Sequence, residues 1–546
     1  MAHVTVARRS MREPEWIELR RIRLERRVVD KRIGVPDWRI RHARQVTENS
    51  YEYEDSVFQP LAIGDTMFTP DGTVFLAADI TVPEALDGEP VWLELRTAAE
   101  MMVQCSGRWV GGLDPNRERV LLTDKARAGE RLEIRIEGYN RSKPDDERDV
   151  RRRGLRGCRQ EFGGASLVTV DEEVRDAVWD VQVLEDTMNC GHVREEIRTY
   201  IKTHLDKALN FLNEQASDAR AYREGVKAMR EYLRQTVFSS REKKGFSGCG
   251  RVALVAHSHL DIAYYWRRVH SVQKNARTCL IQLRLMDRYP EFTYAHTFEL
   301  LEKHYPELFK EVSERIREGR FELVGGMYVE PDCNVPTAES LVRQCMYGQL
   351  YYRDRFGRIA GNCWLPDVFG NTWILPQILR GAGMDFFVSN KMSTWNDTNR
   401  FPHDHFRWRG IDGTEVRACV PPTHFITWNS PSQVVKNWEA FQEKDVCEET
   451  LNMFGFGDGG SGVTEDMLAY ARRLPDVPGV PAVRHVRGDR FLEDNLKENP
   501  DLAVWDGELY LEMHRGTFTT KGELKRRNRE LRSEERRVGK ECATGC

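Results

Sequence analysis

The chain has 546 residues, and its 82 Lys and Arg residues nearly balance its 86 Asp and Glu residues, which gives a net charge of −4 at pH 7. This balance excludes a strongly basic surface, so we expect no nucleic-acid partner and no binding to an anionic membrane. No run of the sequence approaches the ~18 apolar residues of a membrane-spanning helix, and no signal-peptide core is seen at the N-terminus.

The first part of the chain predicts an all-β sandwich, which we assign to residues 1–165. Residues 1–60 are charge-rich and predict an irregular or helical leader. From about Thr73 to Gly138, short β-type runs alternate with turn signals, and this texture is typical of a sandwich of roughly 100 residues. A packing or assembly role is favoured over sugar binding, because the fold alone carries no function.

A helical connector is predicted at residues 166–248. Its clearest signal is an apolar face that repeats every three or four residues, the period of an amphipathic helix. This face comprises Val193, Ile197, Ile201, Leu205, Ala208 and Leu212. A second helix is predicted near residues 221–237, and the polar run 239–250 ends the connector.

After Gly250, apolar β-runs alternate with amphipathic helices, a pattern that predicts repeated β/α units over residues 249–531. The predicted strands are residues 252–256, 321–324, 362–365, 385–389 and 451–456. The predicted helices are residues 299–319, 340–356 and 372–379. The fold class is therefore α/β, preceded by a sandwich and a helical connector.

Ionisable residues follow the predicted strands: His259 and Asp261 after the first, then Asp332, Asp367 and Asp458. Residues two apart on extended backbone point the same way, so His259 and Asp261 form a workable half of a divalent metal site. Nitrogen and oxygen ligands suit Zn²⁺, with Co²⁺ or Mn²⁺ as further choices. Taken alone, the pair is explained equally well as two hydrogen-bonded residues that close a strand.

The segments Gly325-Gly-Met-Tyr-Val-Glu-Pro-Asp332, Trp364-Leu-Pro-Asp367-Val-Phe-Gly370 and Gly455-Phe-Gly-Asp458 follow His259-x-Asp261 in order. Together they resemble the α-mannosidases of glycoside hydrolase family 38, in particular the cytosolic or vacuolar branch. The resemblance covers residues 251–531 and extends into the sandwich through Trp109-Val-Gly-Gly-Leu-Asp-Pro-Asn116. It implies a (β/α)7 barrel with one zinc ion at the strand ends.

The resemblance also implies roles for single residues in the chemistry. His259 and Asp261 are expected to be zinc ligands, and Asp367 to be both the third ligand and the nucleophile. A carboxylate that only orients a barrel loop is the alternative for Asp367. Asp458 is the candidate general acid/base.

On the substrate side, the resemblance implies contacts from Tyr264, Asp332 and His514. The ring of Tyr264 is expected to stack under the sugar, whereas Asp332 is explained equally well as a loop residue. The implied activity is retaining hydrolysis of terminal α-mannosides of oligosaccharides, in which one carboxylate attacks the anomeric carbon and an acid protonates the leaving oxygen. His403 and His405 are less favoured as ligands, and relatives of this type often form homo-oligomers through the sandwich.

The sequence departs from the family pattern near its end. The family's fourth zinc ligand is a His in a Phe-His-Asp-type segment, and the sequence has no such segment. Arg532 to Cys542 resembles the translation of a sequencing-adapter oligonucleotide, so we expect residues 532–546 to be an artefact. These features predict a C-terminally truncated and inactive form of a mannosidase.

Two other functions stay open. The first is a metal-dependent carbohydrate deacetylase on a similar barrel, with Asp332 or Asp367 as its base, although no H-x-x-x-H pair follows Asp261. The second is a carbohydrate-binding or assembly protein without catalysis. The twelve cysteines form no Cys-x-x-Cys pair, which predicts reduced thiols and a cytoplasmic location.

Overall fold

The computed structural model describes residues 16–68, 72–96, 99–139, 161–213, 218–264, 266–296 and 299–531. The segment predicted to be an artefact, residues 532–546, lies outside the described residues. Within them, an all-β unit is followed by a group of helices and then by an α/β unit. The predicted order of these parts is confirmed.

Two antiparallel sheets form the N-terminal sandwich. One has the strand order β1-β11-β6-β9, and the other has the order β3-β2-β5-β10-β7-β8, with β4 beside β2. The strands are β1 (Val29–Val35), β2 (Arg39–Thr47), β3 (Ser50–Tyr53), β4 (Gln59–Pro60), β5 (Thr73–Thr81), β6 (Val91–Leu95), β7 (Glu100–Cys105), β8 (Arg108–Leu113), β9 (Arg119–Thr123), β10 (Arg131–Tyr139) and β11 (Ala165–Val170). Leu76, Leu93 and Ile134 are among the buried residues of the shared apolar core.

Residues 29–53 form three strands, although their charge predicts an irregular or helical leader. In β2, Ile40 and Ala43 are buried while Arg44 is exposed. Basic residues on the outward face of a strand are interspersed with buried apolar residues. The apolar pattern of the strand is therefore hard to recognise in the sequence. The sandwich also continues through β11 to Val170, beyond the predicted boundary.

The helices of the connector pack on one another and on the helix that precedes the sandwich in the chain, and together they form one helical group. They are α1 (Trp16–Glu25), α2 (Glu172–Asn189), α3 (Glu195–Leu209), α4 (Ala219–Leu233) and α5 (Ser240–Lys243), with a π-helical turn at Arg234–Phe238. Asp171 caps α2 by accepting the backbone N–H groups of Glu173 and Val174. The apolar face predicted from the sequence is buried in α3.

Seven strands of the α/β unit follow one another along the chain. They are β12 (Arg251–Ala256), β13 (Tyr294–His296), β14 (Phe321–Leu323), β15 (Asn362–Leu365), β16 (Phe386–Ser389), β18 (Glu415–Cys419) and β19 (Glu449–Phe454). Parallel pairing joins β12 to β19, β13 to β14, β15 to β16, and β16 to β18. The first and the last of the seven therefore lie side by side.

The structure does not confirm a closed (β/α)7 barrel. Within the described part of the chain, no ladder joins β14 to β15 or β18 to β19. Three further strands widen the sheets instead: β17 (His405–Arg409), β20 (Ala482–His485) and β21 (Val504–Asp506). Because β17 lies antiparallel beside β18, this part of the sheet departs from simple β/α repetition.

The helices of the α/β unit are α6 (Arg268–Arg288), α7 (Glu299–His304), α8 (Pro306–Arg317), α9 (Ala338–Phe356), α10 (Leu375–Gly381), α11 (Lys391–Thr394), α12 (Pro431–Ala440), α13 (Glu465–Arg473) and α14 (Gly488–Leu496). The single helix predicted at residues 299–319 is wrong, because the helix breaks at Tyr305. Pro306 lacks an N–H group and starts a new helix instead of continuing the old one. Among the described helices, none has the length and apolar character needed to cross a bilayer.

Candidate active site

The loops that follow three strands bring the candidate site together. His259 and Asp261 follow β12, Asp367 follows β15, and Asp458 follows β19. In parallel α/β sheets the carboxyl ends of neighbouring strands open at the same edge, and functional loops gather there. The site therefore lies where this class of fold places its chemistry.

Among the described residues, one cluster has the geometry to hold a metal ion. His259, Asp261, Asp367 and Asp458 each offer one ligand atom, and these atoms lie within 4.8 Å of one another. Nε2 of His259 lies 3.2 Å from Oδ1 of Asp261 and 3.4 Å from Oδ2 of Asp367. An imidazole nitrogen among carboxylate oxygens is a donor set that suits Zn²⁺ and also accepts Co²⁺ or Mn²⁺. The residues present fit the implied metal.

Glu330, which the sequence analysis passed over, links two members of this cluster. Its Oε2 lies 2.7 Å from Nδ1 of His259, and its Oε1 accepts the backbone N–H of Asp367 at 2.6 Å. A proton on Nδ1 that is donated to Glu330 leaves the lone pair of Nε2 directed at Asp261 and Asp367. Carboxylates hold metal-binding histidines in this tautomer. The segment from Gly325 to Asp332 contains both Glu330 and Asp332. Which of the two carboxylates reaches His259 depends on the path of the backbone after β14.

The charges in the cluster are coupled. Burial lowers the pKa of His259, but the Glu330 carboxylate and hydrogen bonds to Asp261 and Asp367 together raise it well above its usual range. Burial raises the pKa of Asp367, yet His259 and Lys391 hold the carboxyl below its ordinary value. The site thus favours an ionised Asp367 in a buried setting.

Lys391 is the second residue that sequence reasoning missed. It is buried, and its Nζ lies 2.6 Å from Oδ1 of Asp367. The same Nζ lies 4.7 Å from the ring centroid of Trp395, a cation–π contact that helps to hold a desolvated ammonium group. Lys391 begins α11, a helix of only four residues without an apolar period, so no sequence pattern indicates its role.

Asp458 enters the cluster on a glycine-rich loop. Its backbone carbonyl accepts the N–H of Asp261 at 2.8 Å, and Leu260 forms a bridge with Gly459. The loop after β12 and the loop after β19 are therefore joined directly. Burial raises the pKa of the Asp458 carboxyl; His259 opposes this shift, and the carboxylate of Asp367 adds to it.

The three residues predicted on the substrate side lie outside the metal cluster. Oδ1 of Asp332 accepts the backbone N–H groups of Asn334 and Val335 at 2.7 and 3.1 Å. This oxygen of Asp332 therefore shapes its own loop, and a contact with sugar stays a prediction.

Tyr264 and His514 lie at the rim. Tyr264 is 56% exposed and packs edge-on against Trp266, whose indole N–H donates to the carbonyl of Asp261 at 3.1 Å. His514 is also exposed, and its ring centroid lies 4.6 Å from that of Phe369. Both rings are accessible to solvent. Tyr264 reaches the loop of Asp261 through Trp266, and His514 packs on Phe369 in the loop of Asp367.

The other candidate histidines belong to a different part of the structure. His405 is buried in β17 against the ring of Phe441, and burial lowers its pKa to about 3. His403 lies 3.1 Å from Glu443. Neither belongs to the metal cluster.

Two parts of the chain match known protein families. Residues 250–508 match the family described as "Glycosyl hydrolases family 38 N-terminal domain", and residues 33–146 match "Alpha-mannosidase, jelly roll domain". The chain is 30% identical over 510 residues to Alpha-mannosidase 2C1 of Homo sapiens, an alignment that covers 89% of this chain and 47% of that protein.

Two further relatives show the same relationship. The chain is 29% identical over 501 residues to Alpha-mannosidase G of Dictyostelium discoideum, which covers 87% of this chain and 44% of that protein. It is 35% identical over 326 residues to Alpha-mannosidase of Saccharomyces cerevisiae, which covers 56% of this chain and 30% of that protein. The chain spans about half the length of the first two relatives or less.

Proposed function

Because the chain belongs to glycosyl hydrolase family 38, with its N-terminal domain at residues 250–508 and an α-mannosidase jelly roll at residues 33–146, we propose that the protein is a metal-dependent retaining α-mannosidase. Its substrates are terminal α-mannosides of oligosaccharides, and its metal is zinc. Names of relatives support the substrate class, and the donor set of the cluster supports the metal.

The observation that carries the proposal is the approach of Asp367 and Asp458 to one another within a cluster that contains His259 and Asp261. One oxygen of each aspartate lies within 4.8 Å of the other. Retaining glycosidases place their two carboxyl groups ~5–5.5 Å apart, whereas inverting enzymes need ~6.5–9.5 Å to admit a water molecule between them. The short separation supports a retaining reaction.

In the first step, a carboxylate oxygen of Asp367 attacks the anomeric carbon while the protonated carboxyl of Asp458 gives its proton to the glycosidic oxygen. The bond to the leaving group breaks, and a mannosyl ester of Asp367 forms. In the second step, Asp458 takes a proton from water as the water oxygen attacks the anomeric carbon, and the ester breaks. Mannose leaves with its α configuration retained, and both aspartates return to their starting states.

A zinc ion held by His259, Asp261 and Asp367 would supply positive charge that grips vicinal sugar hydroxyls and favours the axial O2 of mannose. The chain's own residues prepare the site for this task. Glu330 orients His259, and Lys391 lies against Asp367. We assign sugar contacts to Tyr264 and His514, which lie at the rim of the site. Asp332 supports its own loop through Asn334 and Val335, and we also assign it to the substrate side.

A cytoplasmic location forms part of the proposal. The nine cysteines of the described residues are all free, and eight of them are buried. Free buried thiols agree with a reducing compartment.

The test is hydrolysis of 4-nitrophenyl α-mannoside by the protein that carries this chain. We expect turnover to be lost on dialysis against a chelator and restored by Zn²⁺, and proton NMR should show α-mannose as the first product. First formation of β-mannose would overturn the retaining mechanism. Release of acetate from an acetylated glycan, with no hydrolysis of mannosides, would overturn the mannosidase assignment in favour of a deacetylase.

A further inference from the structure

The segment Trp109–Asn116 of the sandwich has no role in the mechanism above, although it extends the family resemblance. In the structure it is β8 and the tight turn that leads into β9. The turn is closed by two backbone hydrogen bonds, Asp114 N–H to Arg117 O at 3.1 Å and Arg117 N–H to Asp114 O at 2.8 Å. We call residues 114–117 the hairpin turn.

The hairpin turn is brought to the α/β unit by close packing of β8 on α6. A methyl group added at Gly112 would lie 3.0 Å from side-chain carbons of Arg277 and Ile281. This spacing is tighter than carbon atoms normally adopt, so glycine at this position allows the strand to lie against the helix. The sandwich and the catalytic unit are in direct contact here.

The side chains of the hairpin turn end on Ser461, which lies in the same loop as Asp458. Asp114 accepts the hydroxyl proton of Ser461 at 2.8 Å. Arg117 donates to Ser461 Oγ at 2.6 Å, to the carbonyl of Ser461 at 2.8 Å and to the carbonyl of Val463 at 2.6 Å. Asp114 also accepts from Arg117 at 2.8 Å, so the two charges and the loop form one connected group.

Helix α6 holds the same loop from a second direction. Arg277 donates to the carbonyl of Gly459 at 2.8 Å, and Thr278 Oγ1 accepts the N–H of Ser461 at 3.0 Å. Glu100, a residue of the sandwich, lies 3.0 Å from the Arg277 guanidinium and 2.7 Å from the ammonium group of Lys274. The side chains of Asp114, Lys274 and Arg277 are at most 3% exposed, so these charges stabilise one another rather than meet water.

The backbone of the loop needs such support. Asp458 has φ 52° and Ser461 has φ 80°, and residues other than glycine rarely adopt this region. Positions of this kind persist when their surroundings over-determine them, and they concentrate at functional sites. The surroundings here include two residues of another domain.

We propose that the hairpin turn, through Asp114 and Arg117, is a positioning element that holds the loop of Asp458 in its catalytic geometry. The sandwich thus contributes to the geometry of the active site. This inference rests on the proposed role of Asp458 as general acid/base. Neither Asp114 nor Arg117 touches the reacting atoms in this scheme; both act through Ser461 and the loop.

Two variants and a control test the proposal. Arg117→Met removes the three contacts to the loop, and Ser461→Ala removes only the hydroxyl that both charged residues bind. Arg119→Met is the matched control, because Arg119 lies two residues further along the same hairpin and is hydrogen-bonded to Glu94 and Glu118 within the sandwich.

The first readout compares leaving groups. Misplacing a general acid slows substrates with a poor leaving group more than activated ones, which need no proton. We expect kcat/KM for phenyl α-mannoside, which reports the step that forms the mannosyl ester, to fall about 10-fold in Ser461→Ala and about 100-fold in Arg117→Met. Neither loss exceeds the upper end of the ~10²–10⁴-fold that a positioned acid contributes. With 2,4-dinitrophenyl α-mannoside we expect less than about 3-fold loss of kcat/KM, and Arg119→Met should match the wild type with both substrates.

The second readout does not depend on activity. Hydrogen exchange followed by mass spectrometry should show faster exchange of peptides that cover residues 456–464 in both variants, and no change in Arg119→Met. Equal loss of kcat/KM with both leaving groups, or unchanged exchange in the loop, would overturn the proposal. If the wild type hydrolyses neither mannoside, the proposed function fails, and the exchange data still decide whether the hairpin turn orders the loop.

Discussion

The two catalytic carboxylates that we propose are supported by different parts of the molecule. Asp367 is held by Glu330, which lies 37 residues earlier in the same α/β unit. The loop of Asp458 is held by Arg117 and Asp114 through Ser461, across 344 and 347 residues of chain and from another domain. The nucleophile side of the site is built within one domain, whereas the acid side needs two.

This difference separates metal binding from acid catalysis. His259 and Asp367 are linked through Glu330 of the α/β unit, whereas the backbone N–H of Asp261 also donates to the carbonyl of Asp458. We therefore expect changes in the sandwich to affect metal affinity less than they affect the acid. The geometry of the acid should be sensitive to them. The following substitutions test this division.

Replacement of Asp367 by Asn has the largest expected effect, because this carboxylate is proposed to act as nucleophile and to bind the metal. We expect kcat for an aryl α-mannoside to fall roughly 10⁴-fold or more, the scale on which loss of a nucleophile acts. Zinc affinity should fall as well. Asp354→Asn is the control, since Asp354 is exposed and pairs with its neighbour Arg353. Substantial turnover by Asp367→Asn would contradict the assignment.

Replacement of Asp458 by Asn tests whether the second carboxylate is an acid or a ligand, since it lies within the metal cluster. As general acid/base, it should contribute about 10²–10⁴-fold to turnover and little to metal affinity. We expect phenyl α-mannoside hydrolysis to be lost while zinc binding, measured by chelator competition, stays within about 3-fold of the wild type. A similar loss of zinc affinity would show that Asp458 is a metal ligand and would contradict the division between metal binding and acid catalysis.

The sequence predicted the ligand side of the site better than its supports. His259, Asp261, Asp367 and Asp458 lie in the loops that follow apolar strands. Strands β12 and β19 are neighbours in one sheet, whereas β15, which precedes Asp367, belongs to another sheet, so the strand pattern alone explains only part of the cluster. Glu330 and Lys391 were missed because their roles depend on loop paths, which no local pattern encodes. The contact of Arg117 with Ser461 is beyond prediction from periodicity for the same reason, since it depends on how two domains pack.

The fold shows the same limit. The helix face of α3 and the strand β15 follow from local periods, and both are confirmed. The strands β1 and β2 were missed because basic residues alternate with their apolar ones. Closure of the seven strands into a barrel would need ladders from β14 to β15 and from β18 to β19. Strand β14 spans only residues 321–323, and short strands carry few pairing signals.

Replacement of Glu330 by Gln tests the ligand side without removing a ligand. Glutamine keeps an oxygen for the N–H of Asp367 but presents an NH₂ group towards Nδ1 of His259, so the favourable tautomer loses its acceptor. Loss of such a partner typically lowers metal affinity about 10–100-fold. Chelator competition measures this fall, and Glu339→Gln, at an exposed glutamate paired with Arg343, should leave the affinity unchanged. Wild-type affinity in Glu330→Gln would show that His259 needs no orienting carboxylate.

The smallest expected effect concerns Asp404, a carboxylate that is buried in the same domain but lies outside the cluster. Burial raises its pKa to about 8, whereas an aspartate in the unfolded chain titrates near ~3.9. Between these values the folded state binds the proton and the unfolded state does not, so Asp404 makes the free energy of unfolding fall as pH rises. The contribution is about 1.4 kcal/mol per pH unit within that window.

Asp404→Asn keeps an oxygen for the backbone N–H of Gln442, which donates to Asp404 at 2.8 Å, and removes the titration. Urea unfolding at pH 5, 6 and 7 should therefore give a variant whose stability rises relative to the wild type at each step, while exposed Asp412→Asn should follow the wild type. Parallel curves for Asp404→Asn and the wild type would contradict this. Burial raises the pKa of Asp404, the Gln442 N–H and Lys444 oppose this shift, and the neighbouring Glu443 carboxylate adds to it. Burial also raises the pKa of Asp458, where His259 opposes the shift and Asp367 adds to it. The two carboxyls therefore share burial and differ in the charges beside them, and only those beside Asp458 belong to the metal cluster.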